Sequence, residues 1–455
     1  MLDDTIIAIS TPLGYGGLGI VRLSGKRSLA IAKRLFTPKK TKKNIPPRSP
    51  VLGNLYDSEQ KEFFEEAYLT YFPRPHTYTR EDLIEITCHG SPVILEEVIR
   101  LGTKFGARHA YPGEFTLRAY RNGRIDIIQA EAINDLITAS SLSQAKISYN
   151  QMGGSLSQKI TILRRQIIHL LAQIEASIEF PDEGLKISLK SINKSIERAR
   201  SDVERLIDSY DLGKILAEGL TLVIAGRTNV GKSTLFNALL ERDRAIVTPF
   251  PGTTRDFLRE KMRIKDALFT LIDMAGLGRP SHPIEKEGIQ RAKRLSTEAD
   301  GVLLLLDSSR KEAREDEKLI EKFRGKKTLL LFNKCDLPTK MDVTKMIRAG
   351  KNLPAFTISA LRGTYLDVLK RKIYELFVPA IQKKDDIVLH LRQKLLLEEI
   401  LSCIVQGQIL LQYKHPEEIF AEEIRNAIPL IGRLTGEIQD EDIIQDIFSR
   451  FCVGK

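Results

Sequence analysis

The segment Gly226-Arg227-Thr228-Asn229-Val230-Gly231-Lys232-Ser233 has the residue types and spacing of a phosphate cradle. Its glycines let the backbone fold around an anion so that several N–H groups converge on it. The Lys232 ammonium is expected on β- and γ-phosphates as a catalytic charge, and the Ser233 hydroxyl on Mg²⁺. Asn333-Lys334-Cys335-Asp336 follows the apolar run 327–332. A carboxylate at Asp336 can accept both N–H donors on the edge of guanine. Adenine presents no such pair, so the expected substrate is GTP and not ATP. Ser359-Ala360-Leu361, after the next apolar run, is expected to back the base. Asp273-Met274-Ala275-Gly276 follows the run 269–272. There Asp273 is expected to hold Mg²⁺ through water, with the Gly276 N–H on the γ-phosphate. Thr253 and Thr254, in Pro251-Gly252-Thr253-Thr254, are switch candidates, with Thr254 the better choice for direct Mg²⁺ contact.

One position lacks the expected chemistry. Ras-like enzymes place a glutamine directly after D-x-x-G to orient the attacking water. Here that position is Leu277, which neither donates nor accepts. Beyond it, Ile284-Glu285-Lys286-Glu287-Gly288 offers two carboxylates. By residue type alone they read equally as a solvated helix face.

The surrounding pattern must position these groups. Residues 220–378 alternate apolar strands (220–225, 269–272, 301–306, 327–332, 355–358) with helical stretches, which implies a mostly parallel α/β sheet. Residues 1–118 mix strands at 5–10, 19–23, 67–72 and 83–88 with helices at 27–36 and 92–101, an α+β pattern. From Ile125, apolar residues recur at helical spacing, through a long helix ended by Pro181 and another over 187–216. After Pro379 the pattern is helical to the end. The economical layout has an N-terminal α+β domain (1–118) and a discontinuous helical domain (119–218 and 379–455). An α/β domain (219–378) of Ras-like P-loop type is inserted into the helical one.

The chain has 455 residues, with 42% hydrophobic and 28% charged residues. These values exclude a disordered or collagen-like chain. No run approaches the roughly 18 apolar residues that read as a membrane span, so no membrane partner is expected. The acidic start Met1-Leu2-Asp3-Asp4 is neither a secretory signal nor a transit peptide. Cys88, Cys335, Cys403 and Cys452 form no C-x-x-C pair, so no zinc site or disulfide scaffold is indicated and a reducing cytoplasm is expected. A net charge of +11 favours a polyanionic partner such as nucleic acid. Residues 26–48 hold nine Lys or Arg and no acid, and 417–446 hold nine acids against Arg425 and Arg433. Either run reads as a binding face or as a solvated one.

Along its whole length the sequence resembles the MnmE (TrmE) family of tRNA uridine-modification GTPases. The resemblance rests on Thr11–Arg22, Pro112-Gly113-Glu114-Phe115, Ile125–Leu136, Phe180-Pro181-Asp182-Glu183, the GTPase motifs, and the ending Phe451-Cys452-Val453-Gly454-Lys455. It implies an N-terminal tetrahydrofolate-binding domain that dimerises, and a partner, the FAD-binding protein MnmG, in a heterotetramer. Together they would add an aminomethyl or carboxymethylaminomethyl group at C5 of the wobble uridine of tRNA. The one-carbon unit would come from 5-formyl- or methylene-tetrahydrofolate. The resemblance also implies K⁺-stimulated hydrolysis, with Asn229, Thr248, Phe250 and Thr253 as K⁺ ligands and Glu285 as the catalytic glutamate. That would answer the missing glutamine at Leu277. Arg22, Glu85, Arg124 and Lys455 match the folate positions. Two stretches depart from the family: Arg124 stands where a lysine can occur, and Gly278–Pro283 differs from the usual acidic switch.

Motifs and resemblance together give the expected nucleotide contacts. From the first loop they are Asn229, Val230, Gly231, Lys232, Ser233 and Thr234. The switch adds Thr248, Pro249, Phe250, Pro251, Gly252, Thr253 and Thr254. The later loops add Asp273, Met274, Ala275, Gly276, Asn333, Lys334, Asp336, Ser359, Ala360 and Leu361. Cys452 reads in two ways, as a thiol taking a catalytic part in one-carbon transfer or as packing that lets Lys455 reach folate. A ribosome-assembly or regulatory GTPase without modification chemistry is the alternative function, and it would not need the folate residues.

Overall fold

The computed structural model describes residues 4–39, 45–57, 59–179, 189–241, 259–273, 299–351, 353–378, 387–413, 415–438 and 441–454. The chain divides into two compact units, Met1–Asn134 with Gln151–Ile187 and Leu410–Lys455, and Asp135–Asn150 with Ser188–Ile409.

The first unit is built on a seven-stranded sheet in the order β3-β4-β5-β6-β2-β1-β7. Its strands are β1 (Ile6–Ile9), β2 (Gly16–Ser24), β3 (Phe36–Pro38), β4 (Val51–Asp57), β5 (Glu62–Phe72), β6 (Leu83–Gly90) and β7 (Arg108–His109). Period-2 alternation sets the two faces. Val21 and Leu23 of β2 and Ile84, Ile86 and Cys88 of β6 are buried with the helices Ser28–Leu35 and Pro92–Lys104. The antiparallel register then sets Arg22 opposite Glu85. The expected strands and helices are present. β3, β4 and β7 were not foreseen: β3 and β7 are too short to show an alternation, and Gly53-Asn54 interrupts the apolar residues of the seven-residue β4.

A charge cluster locks this unit. Arg118, 2% exposed, donates to Asp4 Oδ1 (2.6 Å), Glu114 Oε1 (3.0 Å) and Glu81 Oε2 (3.1 Å). Arg108 donates to Glu114 Oε1 (2.6 Å) and Asp4 Oδ2 (2.7 Å). Burial alone would raise the Glu114 and Asp4 carboxyls, but the two guanidinium groups outweigh it and hold both below their ordinary values. The helices Glu114–Arg121, Ser155–Glu179, Glu417–Arg425, Ala427–Thr435 and Glu441–Ser449 lie in this unit, and Ile127–Thr138 and Leu142–Met152 each run across its boundary with the second. The Ser155–Glu179 helix buries Ile160, Leu163, Ile167, Leu170 and Ile174, the stripe read from the sequence. Pro181, expected to end it, and the rest of Phe180-Pro181-Asp182-Glu183 lie outside the described residues.

The second unit carries a six-stranded sheet in the order β13-β12-β11-β8-β10-β9. Its strands are β8 (Leu220–Gly226), β9 (Arg259–Ile264), β10 (Ala267–Asp273), β11 (Gly301–Asp307), β12 (Thr328–Asn333) and β13 (Ala355–Thr357). All pairs are parallel except β9 with β10. β9 was missed in the sequence because its outward residues are charged, although Met262 and Ile264 alternate inward. The expected single helix over 187–216 is two, Leu189–Asp208 and Tyr210–Glu218. The Ser209 hydroxyl at the break donates to Leu206 O (2.6 Å) and accepts the Val388 N–H (3.0 Å). The helix Leu391–Gln412 is the one described helix long and apolar enough to cross a membrane. In the sequence Glu398, Glu399, Ser402 and Gln406 interrupt that run, and in the structure the stripe Leu396, Leu397, Ile400 and Ile404 is buried.

Arg118→Met removes a guanidinium from three carboxylates and should cost about 3–5 kcal/mol of stability, read as a lowered urea midpoint. The depressed Asp4 and Glu114 carboxyls place their contribution in full at neutral pH, to be lost as pH falls below about 4. Thermal melts of the unaltered protein between pH 7 and pH 3 should decline in that window. A melting temperature flat to pH 3, or a variant as stable as its parent, contradicts the cluster's role.

Candidate functional site

In the second unit, β8 ends in the loop that opens the helix Lys232–Leu240. Asn229 and Gly231 lie in left-handed conformations, with φ 64° and 99°. A side chain at position 231 would also stand 2.4 Å from Asn333 Nδ2, so glycine is required twice over. Asn333, 2% exposed, donates from Nδ2 to Val230 O (2.8 Å) and accepts the Ala360 N–H at Oδ1 (2.9 Å). One amide thus joins the first loop, the end of β12 and the loop after β13. Lys334 donates to Asn229 O (3.0 Å) and to Asp307 Oδ2 (2.6 Å). Burial would raise the Asp307 carboxyl, but hydrogen bonds from Lys334 and Ser309 hold it below its ordinary value.

These loops enclose a cavity of about 510 Å³. Its lining includes Asn229, Gly231, Lys232, Ser233, Thr234, Asn333, Lys334, Asp336, Ser359 and Leu361 among the expected residues. Val230 and Ala360 do not line it and act through their backbone bonds to Asn333. Lys232 Nζ donates to Arg227 O (2.7 Å), and burial lowers its ammonium pKa against the opposing pull of Asp273. A phosphate would restore the charge that burial disfavours. Ser233 Oγ donates to Asp273 Oδ2 (2.7 Å). A hydroxyl and a carboxylate converging at one point are the oxygen donors that a hard divalent cation takes, so the pair fits Mg²⁺. The Asp336 carboxyl is held low first by a hydrogen bond from Ser359. Thr228 and Leu337 also line the cavity, and Leu337 and Leu361 expose apolar surface suited to a planar base. The sequence reading did not name Thr228 or Leu337 as contacts, and it missed Asp307, whose signal was an acid closing a wholly buried strand.

Several expected residues lie outside the described residues: Thr248, Pro249, Phe250, Pro251, Gly252, Thr253, Thr254, Met274, Ala275, Gly276, Leu277, Glu285, Glu287 and Lys455. Of the expected K⁺ ligands, Asn229 is described. It is exposed at the cavity, and a side-chain amide oxygen there fits a hard monovalent cation.

The first unit holds a second constellation. Arg22 donates from Nε (3.0 Å) and Nη2 (2.7 Å) to Glu85 Oε1. Glu85 and Arg124 line a cavity of about 480 Å³ with Phe72, Pro75, His76, Thr77, Tyr78, Arg80 and Leu83. The Arg124 guanidinium lies 4.7 Å from the Tyr78 ring centre and donates to Tyr78 O (3.1 Å). Tyr78 shares a hydrogen bond with Thr116 (2.9 Å), and burial raises its hydroxyl pKa. A carboxylate acceptor, flanking cations and an apolar wall fit a heterocycle with an amide and amine edge plus an acidic tail. The C-terminal segment docks on the same unit. Ser10 Oγ donates to Gly454 O (3.1 Å), and a Cβ at Gly454, whose φ is 92°, would lie 2.1 Å from Ile9 O. Phe451 is buried against Phe448, with ring centres 5.4 Å apart, while Cys452 is exposed and its carbonyl accepts the Gly113 N–H (3.4 Å). Phe451 therefore packs and Cys452 does not.

Residues 5–124 match the profile of the GTP-binding protein TrmE N-terminus, and residues 127–452 that of the MnmE helical domain. The chain is 38% identical over 459 residues to the tRNA modification GTPase MnmE of Alkaliphilus metalliredigens, and 39% identical over 457 residues to that of Syntrophus aciditrophicus. Both alignments cover 100% of each chain. Among solved structures, Aquifex aeolicus Era bound to GDP and AlF4⁻ is 28% identical over 40% of this chain and 66% of that one, with a TM-score of 0.29. The G domain of the T. maritima FeoB iron transporter is 30% identical over 34% of this chain and 98% of that one, with a TM-score of 0.27.

Proposed function

The chain belongs to the tRNA modification GTPase MnmE family and is a GTP hydrolase of tRNA modification, and from that premise we propose the chemistry of its two sites. GTP binds in the cavity beside Lys232 and Asp336, with Asp336 accepting the guanine N–H edge. Ser233 and Thr254 hold Mg²⁺ directly and Asp273 holds it through water, and the ion supplies charge neutralisation on the phosphates. Lys232 places its ammonium on the same phosphates. Asn229, with Thr248, Phe250 and Thr253, holds K⁺, which neutralises phosphate charge as an arginine finger does. Glu285 orders the attacking water, a task that Leu277 cannot perform. The second site takes a tetrahydrofolate, with Glu85 accepting the pterin amide and amine edge and Arg22, Arg124 and Lys455 holding its oxygens.

The one-carbon unit of that folate goes to C5 of the tRNA wobble uridine, as an aminomethyl or carboxymethylaminomethyl group, in company with an FAD-binding MnmG-like protein. The chain acts in the cytoplasm as a homodimer that joins this partner in a heterotetramer, and hydrolysis drives its conformational cycle. The 1–118 domain, the split helical domain and the inserted 219–378 domain are its working parts. Cys452 is exposed at the docked tail, where its thiol takes a nucleophilic part in the transfer. The observation that carries the reading is the Arg22–Glu85 pair beside Arg124 at one cavity, in a chain that also holds a nucleotide site. A ribosome-assembly GTPase has no use for it.

Nucleoside analysis of tRNA from cells lacking this protein tests the reading. Wobble uridines should lose the C5 group, the unaltered gene should restore it, and Glu85→Ala should not, while hydrolysing GTP normally. Modified uridines in the deletion strain would remove the function, and full rescue by Glu85→Ala would remove the folate site. For the cation, hydrolysis in Na⁺ should be slower than in K⁺ by about tenfold or more, given the roughly 10³–10⁵ that an arginine finger contributes. Equal rates in the two salts count against Asn229 as a ligand.

A further inference from the structure

A further cavity in the first unit, of about 540 Å³, shares Pro75 and Arg80 with the cavity beside Glu85. Its walls mix charges. Lys26, Arg74, Arg80 and Arg121 line it and are exposed, and the buried Arg118 forms part of it. The carboxylates in the same wall are already engaged. Asp4 accepts from Arg108 and Arg118, and Glu81 accepts from Ser24 and Arg118. Asp82 accepts the Tyr71 hydroxyl and the Arg74 backbone N–H. Five cations line the wall against three carboxylates, and Arg121 is met by Glu441 (3.2 Å), so the wall keeps a small excess of positive charge. Arg80 Nη1 donates to Asn122 O (2.8 Å), which fixes its guanidinium where the two cavities share it.

We infer that this cavity holds a γ-linked oligoglutamate, the acidic chain that extends a folate, and so prolongs the site beside Glu85. The inference rests on the folate reading. A pterin held at Glu85 directs its p-aminobenzoyl-glutamate away from the ring, and Pro75 and Arg80 are the residues common to both cavities. Each added glutamate carries one carboxylate, which suits Lys26 and Arg74, and one peptide N–H, which suits Asp82 Oδ2, since Tyr71 and the Arg74 N–H both bond to Oδ1. A mixed wall matches that alternation. A polynucleotide backbone carries anions alone and favours an acid-free face.

The experiment measures binding of 5-formyltetrahydrofolate to the full chain by calorimetry, with one glutamate and with four. The tetraglutamate should bind about tenfold more tightly at low ionic strength, the sum of a few exposed charge pairs, and the gain should shrink with salt. The double variant Lys26→Gln, Arg74→Gln replaces no residue that lines the Glu85 cavity and keeps the Arg74 N–H on Asp82. It should retain monoglutamate affinity and lose the tetraglutamate gain, whereas Glu85→Ala should weaken both ligands. Equal affinities for the two ligands in the unaltered protein overturn the inference, as does a gain that survives the double variant. If the double variant keeps the gain and loses tRNA affinity, the wall serves RNA phosphate instead. If neither folate binds, the parent reading fails and takes this inference with it.

Discussion

The nucleotide site depends on one buried side-chain amide. Asn333 is only 2% exposed, and it binds both Val230 O and the Ala360 N–H. Leaving either partner unpaired in a buried setting costs about 1–3 kcal/mol. The amide therefore fixes the distance between the loop that would cradle phosphate and the loops that would grip the base. Gly231 has to be a glycine because this amide lies against it. Lys334 extends the tie through Asn229 O and Asp307, so three strand ends, those of β8, β11 and β12, converge on the cavity. In an α/β sheet, ligands bind outside the carboxyl ends of the strands, and here that edge is held by side chains as well as by topology.

The first unit solves a different problem, that of holding paired charges in the wall of a cavity. Sheet pleat sends Val21 and Leu23 into the core and Arg22 to the opposite face, where the register supplies Glu85. The Arg108–Arg118 cluster anchors the segment that precedes β6 through Glu81, and the same segment supplies Tyr78 and Arg80 to the cavity beside Glu85. The C-terminal tail is held against β1 by Ser10 and by the close approach at Gly454. Glu114, singled out earlier within Pro112-Gly113-Glu114-Phe115, is thereby explained as the carboxylate shared by Arg108 and Arg118.

Phosphate and base recognition were legible because each needs a short contiguous segment of defined spacing, and a strand before it can be read from its apolar run. Asp307, Ser209 and Arg118 were not legible, because what matters is a partner distant in sequence: Lys334 for the first, Val388 for the second, Asp4 and Glu81 for the third. β9 escaped because charged residues on its outer face mask the inward alternation of Met262 and Ile264. Arg22 and Glu85, separated by 63 positions, were named only through the resemblance and as separate folate contacts, and the strand register makes them a pair.

The claim that one amide holds the nucleotide loops together is tested most directly by Asn333→Ala, with GDP and GTP affinities measured by fluorescent-nucleotide titration. Loss of the bonds to Val230 O and the Ala360 N–H should weaken both nucleotides by about 10- to 100-fold, the equivalent of one or two unsatisfied buried groups. The melting behaviour of the first unit should be unchanged. Nucleotide affinities equal to those of the unaltered protein would contradict the account.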